Sequence, residues 1–300
     1  MSPRWRTAAH QQGGTHNRAE QLATSIPPLL VAAERVASTV SQGVHGRRRV
    51  GQGETFWQFR RYEFGDSVQL IDWRKSAKSD PVYVRETEWE AAQSVWLWRD
   101  GSPSMNFQSG LGIEMKRKRA DLLVLALTSL LVRGGERVAL LGTGMNPASG
   151  RAVLNRLWTM IEGGQTPSDS LPKPELLPRF ARVVMFGDFL SPLDQVAEVI
   201  DGFAHRGLRG HLVQVLDPAE ERLPYLGRVL FDGPEQEGEV LISHVESLRK
   251  DYQAELVHHR VGLRDLCRRF GWSVITHRTD RPPEQVLMAL YLQLSDTVRA

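Results

Sequence analysis

The chain has 300 residues, 41% hydrophobic and 24% charged, the proportions of an ordinary globular protein long enough to bury a full core. A net charge of +3, from 38 basic against 35 acidic residues, makes no demand for nucleic acid. The single cysteine, Cys267, excludes a disulfide framework or multi-cysteine metal site within the chain and suits a reducing cytoplasm. No run approaches the roughly 18 apolar residues of a membrane span.

Met1 to Ala23 is polar and lacks the apolar core of a signal peptide; residues 1 to about 20 read as a disordered tail. Leu29 to Val40 carries apolar residues at helical spacing behind Pro27-Pro28, and predicts one short amphipathic helix. From about 44 to 92, aromatic and β-branched residues alternate with Gly, Asp and Ser, which predicts short strands and turns, Val82 to Glu86 among them.

The pattern then changes. Val95-Trp96-Leu97-Trp98 reads as a strand buried on both faces, as in a parallel sheet. A helix over Lys116 to Val132 follows, then a strand over Arg137 to Leu141 and a helix over Arg151 to Ile161. Val183 to Asp188 is the third strand, Pro192 to Arg206 a helix, and His211 to Leu216 the fourth strand. Arg228 to Phe231 and Glu239 to Ile242 predict a hairpin, His244 to Phe270 a long helix, Trp272 to Thr276 a last strand and Pro283 to Leu294 a last helix. Strand-helix alternation implies an α/β fold, a mostly parallel sheet with helices on both faces. The expected division is a tail with a short helix (1–43), a small β-rich region (44–92), and an α/β domain (93–300) with the hairpin and long helix inserted at about 222–270.

Three loops at predicted strand ends carry oxygen ligands. Asp100, Ser102 and Ser104 lie in the first, Thr166 in the second, and Asp188 in the third. In a parallel sheet such ends share one edge, where α/β proteins bind ligands. Two carboxylates and three hydroxyls suit a hard cation, Mg²⁺ or Mn²⁺, with a position left for an acidic residue of a partner. The bland reading of the same residues is that Ser102 and Ser104 make a turn and Asp188 caps a helix.

Asp-x-Ser-x-Ser, then a Thr, then an Asp resembles the metal-ion-dependent adhesion site of von Willebrand factor A domains. The resemblance implies Asp100, Ser102, Ser104, Thr166 and Asp188 as the metal set. Gln165 stands where many relatives run Gly-Gly-Thr, and Thr143 competes for the threonine role. Upstream, Gly51, Gly53, Phe56, Arg60, Tyr62, Gly65, Asp66, Ile71, Asp72, Trp73, Ser76, Ala77 and Lys78 follow the order seen in the bacterial family called domain of unknown function fifty-eight. Leu216 to Glu220 and Thr276 to Asp280 extend the likeness toward the C-terminus. Gln69, Lys78 and Arg61 depart from the usual residues. The resemblance implies an interaction or adaptor subunit that accompanies a MoxR-type AAA+ ATPase; a non-enzymatic role is expected because nothing beside Asp100 to Ser104 reads as a nucleophile with its base.

Other classes have weaker footing. Ser247-Leu248-Arg249-Lys250 falls in mid-helix, and the chain has neither a Gly-x-Ser-x-Gly elbow nor a Walker A motif. A metal-dependent hydrolase on Asp100 and Asp188 would lack evident ligands for a second metal. Arg47-Arg48-Arg49 and Lys116-Arg117-Lys118-Arg119 are basic runs with Trp57, Phe59 and Tyr62 as nearby aromatics, a combination that can stack on and track a single strand, but short basic runs are more often solvated faces, and Glu and Asp are interspersed. His258-His259 lacks i, i+4 metal spacing and also reads as a solvated face. Asp66, Asp72 and Arg74 suggest either a polar cluster or a turn with local pairing; the local reading is preferred.

Overall fold

The computed structural model describes residues 28–45, 56–62, 71–77, 81–87, 94–179, 181–233 and 238–296. The first elements are helix α1 (Pro28–His45), strand β1 (Phe56–Arg61), the one-turn helix α2 (Trp73–Ser76) and strand β2 (Tyr83–Thr87). β1 and β2 pair antiparallel, with Arg61 opposite Tyr83. Asp72 caps α2: its Oδ1 accepts from the Lys75 backbone N–H at 2.8 Å, and the Ser76 hydroxyl ties the turn to β2 by accepting from Tyr83 N–H at 2.9 Å. Asp72 thus has a local structural role, as preferred. Trp73, between them, is 64% exposed. The expectations for residues 1–20, Arg47 to Arg49, Gly51, Gly53, Gly65, Asp66 and Lys78 lie outside the described residues.

The α/β alternation follows as expected: β3 (Ser94–Arg99), α3 (Lys116–Arg133), β4 (Arg137–Leu140), α4 (Arg151–Glu162), β5 (Arg182–Gly187), α5 (Leu193–Ala204), β6 (Arg209–Leu216). After it come a short helix α6 (Pro218–Arg222), the hairpin β7 (Val229–Gly233) and β8 (Gly238–Ile242), the long helix α7 (Val245–Arg269), β9 (Ser273–Arg278) and α8 (Pro283–Asp296). Strands β4, β3, β5, β6 and β9 form one sheet in that order, every pair parallel. Leu97 sits in register with Leu140 on one side and Val184 on the other. Val95, Trp96, Leu97 and Trp98 are all buried, because helices cover both faces and no side of the strand meets water.

The chain leaves β3 toward β4 and returns on the opposite side to β5. Right-handed crossovers therefore put α3 on one face and α5 and α7 on the other; α5 packs with α7, and α3 with α1 and α8. The order reverses between β3 and β5, and the crevice beyond their carboxyl ends is where this architecture takes ligands. A backbone hydrogen bond from Asp100 N–H to Phe186 O, 2.8 Å, joins the two ends.

Helix α1 belongs to this core. Leu30, Ala33, Val36, Ala37 and Val40 are buried in the same hydrophobic cluster as the sheet. Grouping it with a tail (1–43) separates it from the layer it completes, because an amphipathic stripe shows that a helix packs but not on what. Among the described residues no helix is long and apolar enough to cross a membrane.

Candidate functional site

Asp100 leaves the end of β3 fully buried. Its Oδ1 accepts both the backbone N–H of Ser102 (2.8 Å) and the Ser102 hydroxyl (2.6 Å). The Ser104 hydroxyl, from the 3₁₀ turn Pro103–Asn106, donates to Oδ2 of Asp188 at 2.7 Å. The two serine oxygens lie 3.0 Å apart. Asp100, Ser102, Ser104 and Asp188 are thus one connected group, spanning 84 positions of sequence in its longest hydrogen bond. With both hydroxyl protons given to carboxylates, lone pairs of the two serines face each other, an arrangement that favours a cation.

Thr166 is held differently. Its hydroxyl accepts from Arg99 Nη2, and the Arg99 Nε forms a buried ion pair with Asp121 at 3.0 Å. The loop carrying Thr166 nonetheless presses on the site. A Cβ on Gly101 would stand 2.0 Å from the Pro167 carbonyl oxygen, so only glycine lets the two loops close. Arg117 Nη2 donates to the Gly101 carbonyl at 2.7 Å. Thr143, the competing threonine, donates its hydroxyl to Leu140 O at 2.7 Å.

The group includes a cation that strand-end reasoning missed. Lys116, the first residue of α3, is fully buried. Its Nζ lies 2.9 Å from Asp188 Oδ2 and 2.6 Å from Glu220 Oε1. Burial alone would lower the lysine pKa, but Asp188 and Glu220 outweigh it and hold the ammonium above the ordinary range. Asp188 is correspondingly held below the usual carboxylate range: against burial stand Lys116 and the Ser104 and Leu190 hydrogen bonds. Glu220 is positioned by a capping box: its Oε2 accepts from Asp217 N–H at 2.7 Å while Asp217 Oδ1 accepts from Ala219 N–H at 2.8 Å.

The basic run Lys116 to Arg119 is therefore not a solvated face. Lys116 and Arg119 are buried, Arg117 is half-buried, and Lys118 alone of the four is exposed. Arg119 pairs with Glu114 and donates to Thr279 O (3.1 Å) and Arg281 O (2.7 Å). Successive helical residues point about 100° apart, so one run reaches four surroundings, and this removes it as a phosphate-tracking patch. His259 likewise turns inward, its Nε2 2.7 Å from Phe189 O. Phe189 holds φ 50° next to Asp188, a strained conformation for a bulky residue. The His259 contact and Gln214 Nε2 donating to Asp188 O at 2.9 Å fix it there.

One atom is left over. Asp100 Oδ2 is buried without a hydrogen-bond partner. Burial, then the nearby Asp188 charge, push the Asp100 carboxyl up to about 7. A hard divalent cation fits this donor set: an unpartnered carboxylate oxygen, two serine oxygens, and Asp188 beside them. Among the described residues no three His, Cys, Asp or Glu side chains gather as a metal cage, so hydroxyls and outside ligands would have to contribute. The site borders a groove of about 740 Å³ whose lining includes Ser104, Asp188 and Glu220 together with Leu190, Tyr225 and Phe231.

Comparison with known proteins places the chain. "Uncharacterized protein Mb1516" of Mycobacterium bovis is 27% identical over 278 residues, covering 87% of this chain and 86% of that one. Among solved structures, the conserved hypothetical protein BatB of Bacteroides thetaiotaomicron aligns with a TM-score of 0.43 at 11% identity, over 70% of this chain and 100% of that chain. The SpRpn10 VWA domain aligns with a TM-score of 0.34 at 10% identity, over 66% of this chain and 94% of that chain. Residues 58–262, more than half of the chain, match the family described as "Protein of unknown function DUF58", and the chain belongs to that family.

Proposed function

We propose that this protein is a non-enzymatic interaction subunit that docks a partner at the carboxyl edge of its sheet through a bound Mg²⁺ or Mn²⁺. Asp100, Ser102 and Ser104 would hold the ion directly, with Asp188 as a further ligand or acceptor, and Thr166 would act from the adjoining loop. The observation that carries this reading is the buried, unpartnered Oδ2 of Asp100 beside two serine oxygens. Leaving one carboxylate oxygen buried and unsatisfied costs about 1–3 kcal/mol or more, a cost that a cation removes. When bound, the ion supplies an open coordination position that attracts a carboxylate from a partner protein.

The groove beside the ion supplies apolar and aromatic surface for the residues flanking that carboxylate, as interfaces usually require. A MoxR-type AAA+ ATPase, or its client, is the partner the family resemblance suggests. An adaptor role suits the chemistry: both serines donate to the carboxylates that the proposed ion would engage, and no histidine is among their hydrogen-bond partners in the described residues.

The test is a pull-down against such an ATPase with wild type and Asp100→Ala, in Mg²⁺ and in EDTA. Retention is expected only for wild type in Mg²⁺. Binding that ignores both the chelator and the substitution would refute the ion bridge.

A further inference from the structure

Lys116 departs from two rules at once. Lysines are almost never fully buried, and a cation in the first turn of a helix opposes the helix dipole. Lys116 is 0% exposed and occupies the first position of α3, a turn that contains no acidic residue. Local helix energetics do not favour a charge here, so the reason must lie in what the ammonium touches. It joins three chain segments: the turn after β3 through the shared Asp188 oxygen, the end of β5 at Asp188, and α6 at Glu220.

The shared oxygen is the decisive feature. Asp188 Oδ2 receives the Ser104 hydroxyl at 2.7 Å and the Lys116 ammonium at 2.9 Å. Any ion that uses Ser104 and Asp188 meets a fixed positive charge on the same oxygen. We infer that Lys116 is a built-in counter-cation of this site, which holds its loops together without metal and competes with a divalent ion for Asp188. The inference rests on the proposed ion site and adds what sets its affinity. A partner would then meet a site whose ion is weakly held, so ion and partner strengthen each other's binding.

Like charges at such range repel strongly in a buried setting. Removing this one should tighten ion binding by about tenfold or more. The experiment is calorimetric titration of Mn²⁺ alone into wild type, Lys116→Met, and the double variant Lys116→Met/Glu220→Gln. The thermal midpoint of each is read in EDTA and in Mn²⁺. Methionine keeps the chain length and volume without the charge. The double variant also removes the carboxylate that the single variant leaves unpaired, and it decides the matter if the single variant does not fold.

The expected result is tighter Mn²⁺ binding by both variants, with a midpoint for Lys116→Met that is depressed in EDTA and restored by Mn²⁺. Binding by the variants but not by wild type would uphold Lys116 as the resident cation and refute the ion bridge in the wild-type protein. Equal or weaker binding by the variants, with wild type binding, would overturn the role of Lys116 and leave the ion site standing. No binding by any of the three overturns both.

Discussion

Asp100→Asn is expected to make the chelated protein more stable while abolishing its response to Mg²⁺. The magnitude follows from the native environment of the carboxyl, whose pKa is lifted from 3.8 to about 7 by burial and by Asp188. A group that holds its proton more tightly when folded stabilises the native state at low pH. That contribution is lost as pH rises from 3.8 to about 7, and above this the full cost of the buried charge is present. At about 1.4 kcal/mol per pH unit, the cost near pH 8 is about 4 kcal/mol.

Asparagine keeps an acceptor for the two Ser102 hydrogen bonds and puts an uncharged amide where Oδ2 stands unpartnered. Its net gain should be roughly 2–4 kcal/mol near pH 8 and about half that near pH 5.5. Urea denaturation in EDTA at both pH values measures the difference. A parallel thermal scan should show Mg²⁺ raising the wild-type midpoint and leaving the variant unmoved. A less stable Asp100→Asn at both pH values, or an advantage that does not depend on pH, would rule out a buried-charge cost at Asp100.

Two further outcomes are open to measurement. Gly101→Ala should destabilise the protein by roughly 1–3 kcal/mol, because its Cβ would meet the Pro167 carbonyl at 2.0 Å and force the two loops apart; limited proteolysis should then cut first between residues 163 and 170. His277 is buried with a pKa lowered to about 3 by burial and by Arg119, and His211 to about 4 by burial and by Arg182. Both bind protons more readily unfolded, so their contribution to stability should be complete above about pH 6.5 and be lost as pH drops toward 4, by roughly 3 kcal/mol for each group, opposite in sign to the Asp100 contribution over the same range. His277→Gln, which keeps an acceptor facing Arg119 Nη1, should flatten that slope in urea titrations; an unchanged slope would acquit His277.

What could be read from the chain, and what could not, divides along physical lines. Runs such as Val95 to Trp98 and Val183 to Phe186 announce strands buried on both faces, and their ends announce Asp100 and Asp188. The one-turn helices Trp73–Ser76 and Pro218–Arg222 escape periodicity, because a single turn is set by its cap rather than by a stripe. The signal for the second was present: Asp217-Pro218-Ala219-Glu220 is a capping box with proline in the first turn. The place of α1 was not legible, since its stripe from Leu30 to Val40 fits any apolar partner of the right shape.

The hidden half of the site is the more instructive case. Topology brings strand ends together, so a search along strand ends finds anions and hydroxyls. The balancing cation comes from the first residue of a helix, inside a basic run that looks like solvent-facing charge. The run carries its own warning: four cations opening a helix, with no acid in the first turn, oppose the dipole and need partners elsewhere. Once Lys116 is placed, the charges can be assigned. Asp188 and Glu220 share one ammonium, while the Asp100 carboxyl is held only by Ser102 and keeps one buried oxygen without a partner. The unmet demand of the whole cluster therefore falls on a single atom at the switch point of the sheet, the second oxygen of the carboxylate that holds Ser102. The proposed cation and partner would meet that deficit, whereas a turn that served only structure would leave it unmet.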